Sequence, residues 1–385
     1  MMTMRVAIIG VGQTKMGEHW EKSLRDLSTA AGALALKDAG ISASDIDGLY
    51  IGNMSAGRFV GQEHLGALAV DQAGLTPIPA TRCEAACASG ALAFRKAYLA
   101  ILSGHHDMVM VGGAEKMTDL KATGSVGTLM GAGDQEWESS IGLTFTGLYA
   151  LMANVYMRKF GLTREELALI PVKNHGHGVN NPYAQFRFPV SVQDVLNSAL
   201  VADPLRLLDC SPITDGAAAV VLATENVAKR FDNPIWIAGS GQASDTLALH
   251  GREEMHRVRA AEYAAKTAYA QAGLGPDDID VAEVHDCFSI AEVMAYEDLG
   301  FAPRGKGKDL LINKDTTIGG RIPVNTDGGL KVGHPVGATG IKQIIEIVRQ
   351  LKALAPNQVK GAKIGLAHNV GGSGATALVH ILRSD

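Results

Sequence analysis

The chain has 385 residues, 46% of them hydrophobic, enough for two ordinary domains that each bury a core, and this excludes disorder as the default. Forty acidic side chains against 35 basic ones give a formal net charge of −5 without long runs of one sign, which excludes an electrostatic footprint for nucleic acid. No stretch approaches the roughly 20 continuous apolar residues of a membrane span, and the four cysteines, at 83, 87, 210 and 287, are too few and too scattered for a disulfide framework.

In chain order, the N-terminal Met1-Met2-Thr3-Met4-Arg5 runs into a strand-like segment, unlike a signal peptide. Apolar β-rich runs then alternate with helical patterns: Val6 to Ile9, Leu49 to Ile51 and Met108 to Val111 in the first part, Ile235 to Ala238, Val281 to Val284 and Ile364 to Ala367 in the second. That alternation predicts an α/β fold. The segment from Ala88 to Ser103 is apolar almost all round and is expected to be a central helix, with Gly104 as its C-cap. Residues 118–205 break the pattern and read as an insertion, a candidate lid and ligand-binding subdomain; a strand from Ala218 to Ala223 then completes the first sheet. The helix from Ile341 to Lys352 carries apolar residues at 341, 344, 345, 348 and 351, the stripe of a half-buried helix. The C-terminal Leu382-Arg383-Ser384-Asp385 is no peroxisomal address, and the thiols suit a reducing compartment, so the cytoplasm is expected.

The two parts repeat each other. Ile9-Gly10-Val11-Gly12-Gln13 recurs as Ala238-Gly239-Ser240-Gly241-Gln242, Asp45-Ile46-Asp47 as Asp278-Ile279-Asp280, and Ala88-Ser89-Gly90 as Ala338-Thr339-Gly340, in the same order. The expected organisation is a first half over 1–230, carrying the insertion at 118–205, and a second half over 231–385.

Cys87 stands where a strand-like segment enters the central helix. A helix N-terminus favours the thiolate, the form that attacks thioesters. By the repeat, His334 stands just before the equivalent helix of the second half, so the two helix starts are expected to converge and pair a nucleophile with a base. His285-Asp286-Cys287-Phe288 follows a strand at the end where α/β sites gather, and His368-Asn369-Val370-Gly371-Gly372-Ser373-Gly374 offers backbone N–H groups suited to an oxyanion hole. Gly10-Val11-Gly12 lacks the third glycine of a dinucleotide fingerprint, since position 15 is lysine. His105-His106-Asp107 and His175-Gly176-His177 lack further ligands at metal-site spacing, and no metal is expected.

Several motifs together make the chain resemble a thiolase over essentially its whole length, and in particular the sterol-carrier-protein-x branch with its archaeal and bacterial relatives. They are Cys87-Ala88-Ser89-Gly90, Gly112-Gly113-Ala114-Glu115-Lys116-Met117, Asn180-Asn181-Pro182-Tyr183, Asp215-Gly216-Ala217-Ala218-Ala219, His285-Asp286-Cys287-Phe288 and Gly333-His334-Pro335-Val336-Gly337-Ala338-Thr339-Gly340. The resemblance implies a five-layered αβαβα sandwich of two duplicated halves with an inserted loop domain. It makes Cys87 the acylated nucleophile and His334 its base, places His285 with His334 in an oxyanion hole for an enolate, and gives the N–H groups of Cys87 and Gly371 to a second hole. Many thiolases have Asn-Glu-Ala-Phe at the 285–288 motif and a second catalytic cysteine where this chain has Asn369; in the sterol-carrier-protein-x branch that thiol sits at the position of Cys287. Asn369, His368, Met117 and Asn180 are further expected substrate or CoA contacts.

The implied reaction is condensation of two acetyl-CoA to acetoacetyl-CoA, needing no cofactor beyond CoA and feeding isoprenoid synthesis. The alternatives are a degradative thiolase for longer 3-ketoacyl chains, or a non-catalytic subunit of a multi-enzyme complex. Expected partners are a second copy or a dimer of dimers, hydroxymethylglutaryl-CoA synthase and an OB-fold, zinc-ribbon bridging protein.

Overall fold

Every residue of the first strand, β1 (Val6–Gln13), is buried or nearly so, and its two faces meet different cores, the pattern of a strand inside a layered fold. The computed structural model describes residues 5–385; Met1–Met4, on which the N-terminal reading falls, lie outside the described residues. The other strands of its sheet are β2 (Gly48–Gly52), β3 (Ala80–Cys83), β4 (Met108–Glu115), β5 (Gly216–Thr224), β6 (Ile235–Ser244), β7 (Val281–Glu283), β8 (Ile364–Gly371) and β9 (Thr376–Arg383). The main helices are α1 (Leu24–Ala39), α2 (Ser89–Leu102), α3 (Phe145–Phe160), α4 (Arg164–Gly178), α5 (Arg259–Ala272), α6 (Ser289–Asp298) and α7 (Thr339–Leu351).

The strands run in the order β3-β2-β4-β5-β1-β6-β9-β8-β7. Matching β1, β2, β4 and β5 with β6, β7, β8 and β9 makes the second half of that order the reverse of the first, as two copies of one unit related by a pseudo-two-fold axis require. Among the described residues the two copies' strands pair at β1 and β6, Ala7 with Trp236 and Ile8 with Ile235.

Three hydrophobic clusters separate five layers. Ala7 and Ile9 of β1 pack with Leu27, Ala31 and Ala35 of α1. Val6 and Ile8, on the other face, pack with Phe94, Ala97 and Ile101 of α2 and Ile341, Ile344, Ile345 and Val348 of α7. Ala377, Val379 and Ile381 of β9 pack with Ala261, Ala264 and Ala268 of α5. The sequence from outside to outside is therefore α1, sheet, α2 with α7, sheet, α5, the αβαβα sandwich.

The recurring Gly-x-Gly is a packing device. A Cβ on Gly10 would lie 2.5 Å from the Ala35 carbonyl and one on Gly12 2.5 Å from that of Ala31, so α1 lies directly on the strand backbone; Gly239 and Gly241 receive the Ala268 and Ala264 carbonyls of α5 in the same way. A second glycine pair lets the central helices cross: a Cβ on Gly90 would sit 2.7 Å from the Gly337 carbonyl, and one on Gly340 would collide with the Ala91 amide.

Helix α2 ends as expected, with Gly104 at φ +77° and its N–H on the Ile101 carbonyl. The half-buried reading of α7 is corrected: the helix is enclosed on nearly every side. Its apolar stripe faces the central layer, but its polar face is buried too. Lys342 Nζ meets Asp327 Oδ2 at 2.7 Å, Gln343 donates to the His368 carbonyl at 2.9 Å, and Glu346 accepts from Thr326 Oγ1 at 3.0 Å. Helices α3 and α4 belong to the inserted stretch and pack over α6 and the ends of the second-half strands. Among the described residues no helix is long and apolar enough to cross a membrane.

Candidate active site

The segment from Glu84 to Ala88 turns sharply between β3 and α2. Ala86 adopts φ +51°, an uncommon conformation for a residue with a Cβ and one that recurs where chains present a reactive group. Ser89 braces the turn, accepting from the Ala85 N–H at 2.9 Å and donating to the Ala86 carbonyl at 2.6 Å. Cys87 is thereby presented to a cavity of about 220 Å³ between the central layer and the insertion. Burial pushes its thiol up to about 12; the Gly372 N–H pulls the other way, and the Glu115 carboxyl adds to the rise. The helix-start effect read from sequence is outweighed, so the resting group is a thiol.

His334 enters the site on the loop before α7. Its backbone N–H donates to Thr214 Oγ1 at 3.0 Å, and its ring Nδ1 lies 2.7 Å from Thr339 Oγ1. With the Thr339 proton on the Pro335 carbonyl at 3.1 Å, Nδ1 is the donor to Thr339 and Nε2 keeps a lone pair. Thr339 is the repeat counterpart of Ser89, and each hydroxyl braces the turn ahead of its helix. Burial, with Lys342 and Lys331 nearby, holds His334 down at about 3, neutral at any working pH.

His285 follows β7. Asn369 Nδ2 donates to His285 Nδ1 at 3.0 Å, leaving the proton on Nε2, which is buried and has no partner among the described residues. The two imidazoles meet edge to face at 5.3 Å, and Cys87 Sγ, one His285 nitrogen and one His334 nitrogen all lie within 4.8 Å of one another. Cys287 lines the same cavity, its thiol raised far above the usual range by burial. Asp286 is structural: it accepts from the Leu330 N–H and from Asn174 Nδ2, both at 2.7 Å, and ties the 285–288 turn to the His334 loop.

The structure thus brings Cys87, His285, His334, Cys287 and Asn369 together, with Met117 in the cavity wall. The N–H turned to Cys87 Sγ is that of Gly372, one residue beyond the expected Gly371. His368 is buried beside His285, held neutral at about 3, with neither ring nitrogen partnered among the described residues. Asn180 is exposed just beyond the end of α4, its amide on Asn357 Oδ1 at 2.9 Å, and is not part of the cavity wall. Two further motifs build scaffold. Glu115 accepts from Asn53, Met54 and Ser55, and Asp215 accepts from Lys116 Nζ at 2.8 Å and from the Met117 and Thr118 N–H groups. Sequence reasoning missed Tyr149 and Cys210 in the cavity wall; both come from the insertion or its exit, where no motif marks them.

The sulfur and two imidazoles converge as metal donors would, but the Lys331 and Lys342 charges beside the rings oppose a cation. The arrangement suits acyl transfer better: a nucleophile, an imidazole base and a second imidazole with an unpaired nitrogen gathered within a few ångströms.

Comparison with known proteins agrees. The thiolase N-terminal domain family matches residues 6–226, and the thiolase C-terminal domain-like family matches 241–384. An acetyl-CoA acetyltransferase of Methanothermobacter thermautotrophicus is 54% identical over 380 residues, 98% of each chain. Sterol carrier protein 2 of Gallus gallus is 35% identical over 394 residues, 98% of this chain and 71% of that protein. Among solved structures, an Ltp2-ChsH2(DUF35) aldolase superposes with a TM-score of 0.87 at 27% identity, covering 99% of this chain and 98% of the other. With both halves matched and the similarity running the length of the sequence, this chain belongs to the thiolase family.

Proposed function

We propose that the chain is an acetyl-CoA C-acetyltransferase that condenses two acetyl-CoA to acetoacetyl-CoA and CoA, reversibly, through an acyl group on Cys87. The convergence of Cys87 Sγ with His285 and His334 within 4.8 Å carries this reading, and the 54% identical acetyltransferase supports the acetyl specificity.

Cys87 attacks the first thioester as its proton passes to His334 Nε2. The N–H groups at Cys87 and the 371–372 turn receive the oxyanion, and the departing CoA thiolate takes the proton of Cys287. The Cys287 thiolate then removes an α-proton from the second acetyl-CoA. His285 Nε2–H and the newly protonated His334 hold the enolate oxygen, the enolate carbon attacks the acyl group, and Cys87 recovers its proton from His334. No cofactor takes part beyond CoA on the substrates.

The apolar cavity wall, with Met117, Phe145, Tyr149, Phe288 and Ile213, also favours a second reading, thiolysis of longer 3-oxoacyl-CoAs. An assay of acetyl-CoA condensation beside thiolysis of acetoacetyl-CoA and longer 3-oxoacyl-CoAs decides: a preference for the four-carbon substrate is expected, and activity confined to longer chains would overturn the acetyl reading. The enzyme would work in the cytoplasm as a homodimer or dimer of dimers and supply isoprenoid synthesis. The DUF35 component of the similar Ltp2-ChsH2(DUF35) aldolase supports a complex with a second protein; the proposed partners are a small OB-fold, zinc-ribbon protein and hydroxymethylglutaryl-CoA synthase.

A further inference from the structure

One buried phenol has no part in the scheme above. Tyr149 lies on α3, in the insertion, and is 1% exposed. Its ring packs against Phe288 at 4.7 Å, and its hydroxyl lies 3.1 Å from the Gly372 carbonyl, on the residue whose N–H meets Cys87 Sγ. Cys287, next to Phe288 in the chain, lines the same wall and is a polar neighbour of that hydroxyl. The phenolic proton is therefore held by a loop carbonyl, with a sulfur beside it in the wall of the cavity that both cysteines share.

A Cys287 thiolate is needed between departure of the first CoA and removal of the α-proton, and its surroundings oppose it. Burial is the largest effect, and Cys87 and Asp286 also disfavour the charge; Lys331, from the loop before His334, and the Tyr149 hydroxyl favour it. Arg252 and Cys87 face the phenol itself. A hydroxyl that can rotate donates where charge develops and returns to a neutral acceptor when the charge is gone.

We propose that Tyr149 is a positioning residue for Cys287: its O–H turns from the Gly372 carbonyl to Cys287 Sγ when Cys287 gives its proton to the CoA thiolate, and turns back when Cys287 takes the α-proton. The phenol keeps its own proton throughout, so the proton balance of the reaction is unchanged. This rests on reading Cys287 as the acid-base group.

The test combines Tyr149→Phe, Cys287→Ser and the double variant. Tyr149→Phe should leave acetyl labelling of Cys87 by acetyl-CoA largely intact while lowering condensation and thiolysis about 10-fold to 100-fold, the worth of one hydrogen bond to a charged group. The acid limb of its condensation pH profile should move up by about one to two units. Replacing Tyr149 by 3-fluorotyrosine, a stronger donor that preserves the packing, should move that limb down. The double variant should be no slower than Cys287→Ser. Unchanged turnover and profile in Tyr149→Phe, or labelling lost in step with turnover, would overturn the proposal. If Cys287→Ser retained full turnover while Tyr149→Phe did not, the reading of Cys287 would fail, and with it any role of Tyr149 through that thiol.

Discussion

Asn369 and His285 meet through one hydrogen bond, Asn369 Nδ2 to His285 Nδ1 at 3.0 Å, and that bond decides which imidazole nitrogen keeps its proton. A carboxamide N–H can only donate, so Nδ1 accepts and the proton stays on Nε2, which is buried with no partner among the described residues.

Replacing Asn369 by Leu should therefore let His285 sample both tautomers. Acetyl labelling of Cys87 is expected to persist, while condensation falls by up to the roughly 10²- to 10³-fold cost of one oxyanion donor. Comparing labelling with acetoacetyl-CoA formation checks this; equal loss of both would place His285 in the acylation step.

The Cys87–His334 pair is expected to rest as thiol and imidazole, because the thiol is pushed up to about 12 and the imidazole down to about 3. Alkylation of Cys87 by iodoacetamide should rise about tenfold per pH unit from 7 to 10. A plateau below pH 8, read by peptide mass spectrometry, would indicate a preformed ion pair. His334→Asn should slow acetyl labelling by roughly 10²- to 10⁴-fold, the loss of a general base.

Cys287→Ser should separate the half-reactions. Labelling of Cys87 is expected to survive, since the nucleophile, His334 and the N–H groups remain and the departing CoA thiolate can take its proton from water instead of Cys287. Condensation and thiolysis should fall roughly 10²- to 10⁴-fold. Near-full turnover would pass the α-proton to another group, and His368, buried beside His285, is the first to replace.

His380, not among the residues of the cavity wall, gives a stability test. It is buried with Nδ1 3.0 Å from Ser240 Oγ and Nε2 3.2 Å from the Ala91 carbonyl, and burial lowers it from 6.5 to about 3. Between those values the unfolded chain binds a proton there that the folded chain does not, so folding is weakened as pH falls through 6.5 and the loss is complete near 3. From pH 7.5 to 5 this one group costs about 2 kcal/mol. His380→Asn should flatten the acid decline in urea-unfolding free energy by that amount; an unchanged slope would show His380 protonated in the fold.

The sequence carried the duplication, the layering and the Cys87–His334 meeting because each rests on residues that recur in order: Gly10 and Gly12 with Gly239 and Gly241, Gly90 with Gly340. It misled where burial, not pattern, decides. The polar face of α7 reads as solvated, but Lys342, Gln343 and Glu346 find partners on a distant loop and strand. Cys87 reads as a thiolate at a helix start, yet enclosure outweighs that field. Tyr149 was invisible because a lone aromatic in an irregular insertion has no periodicity to betray which wall it will join.

The crossing of α2 and α7 at Gly90 and Gly340 has a consequence for how such a site can exist. Were the two halves identical subunits related by true symmetry, both helix entrances would carry the same side chains, two thiols or two imidazoles facing one another. A proton donor opposite a proton acceptor requires the entrances to differ, and that requires one polypeptide in which each copy can change without the other. Neither half holds the pair alone: a fragment ending after β5 would keep Cys87 with nothing to take its proton, and the remainder would keep His334 with nothing to give it one. Reactivity in this molecule belongs to the seam between its two copies.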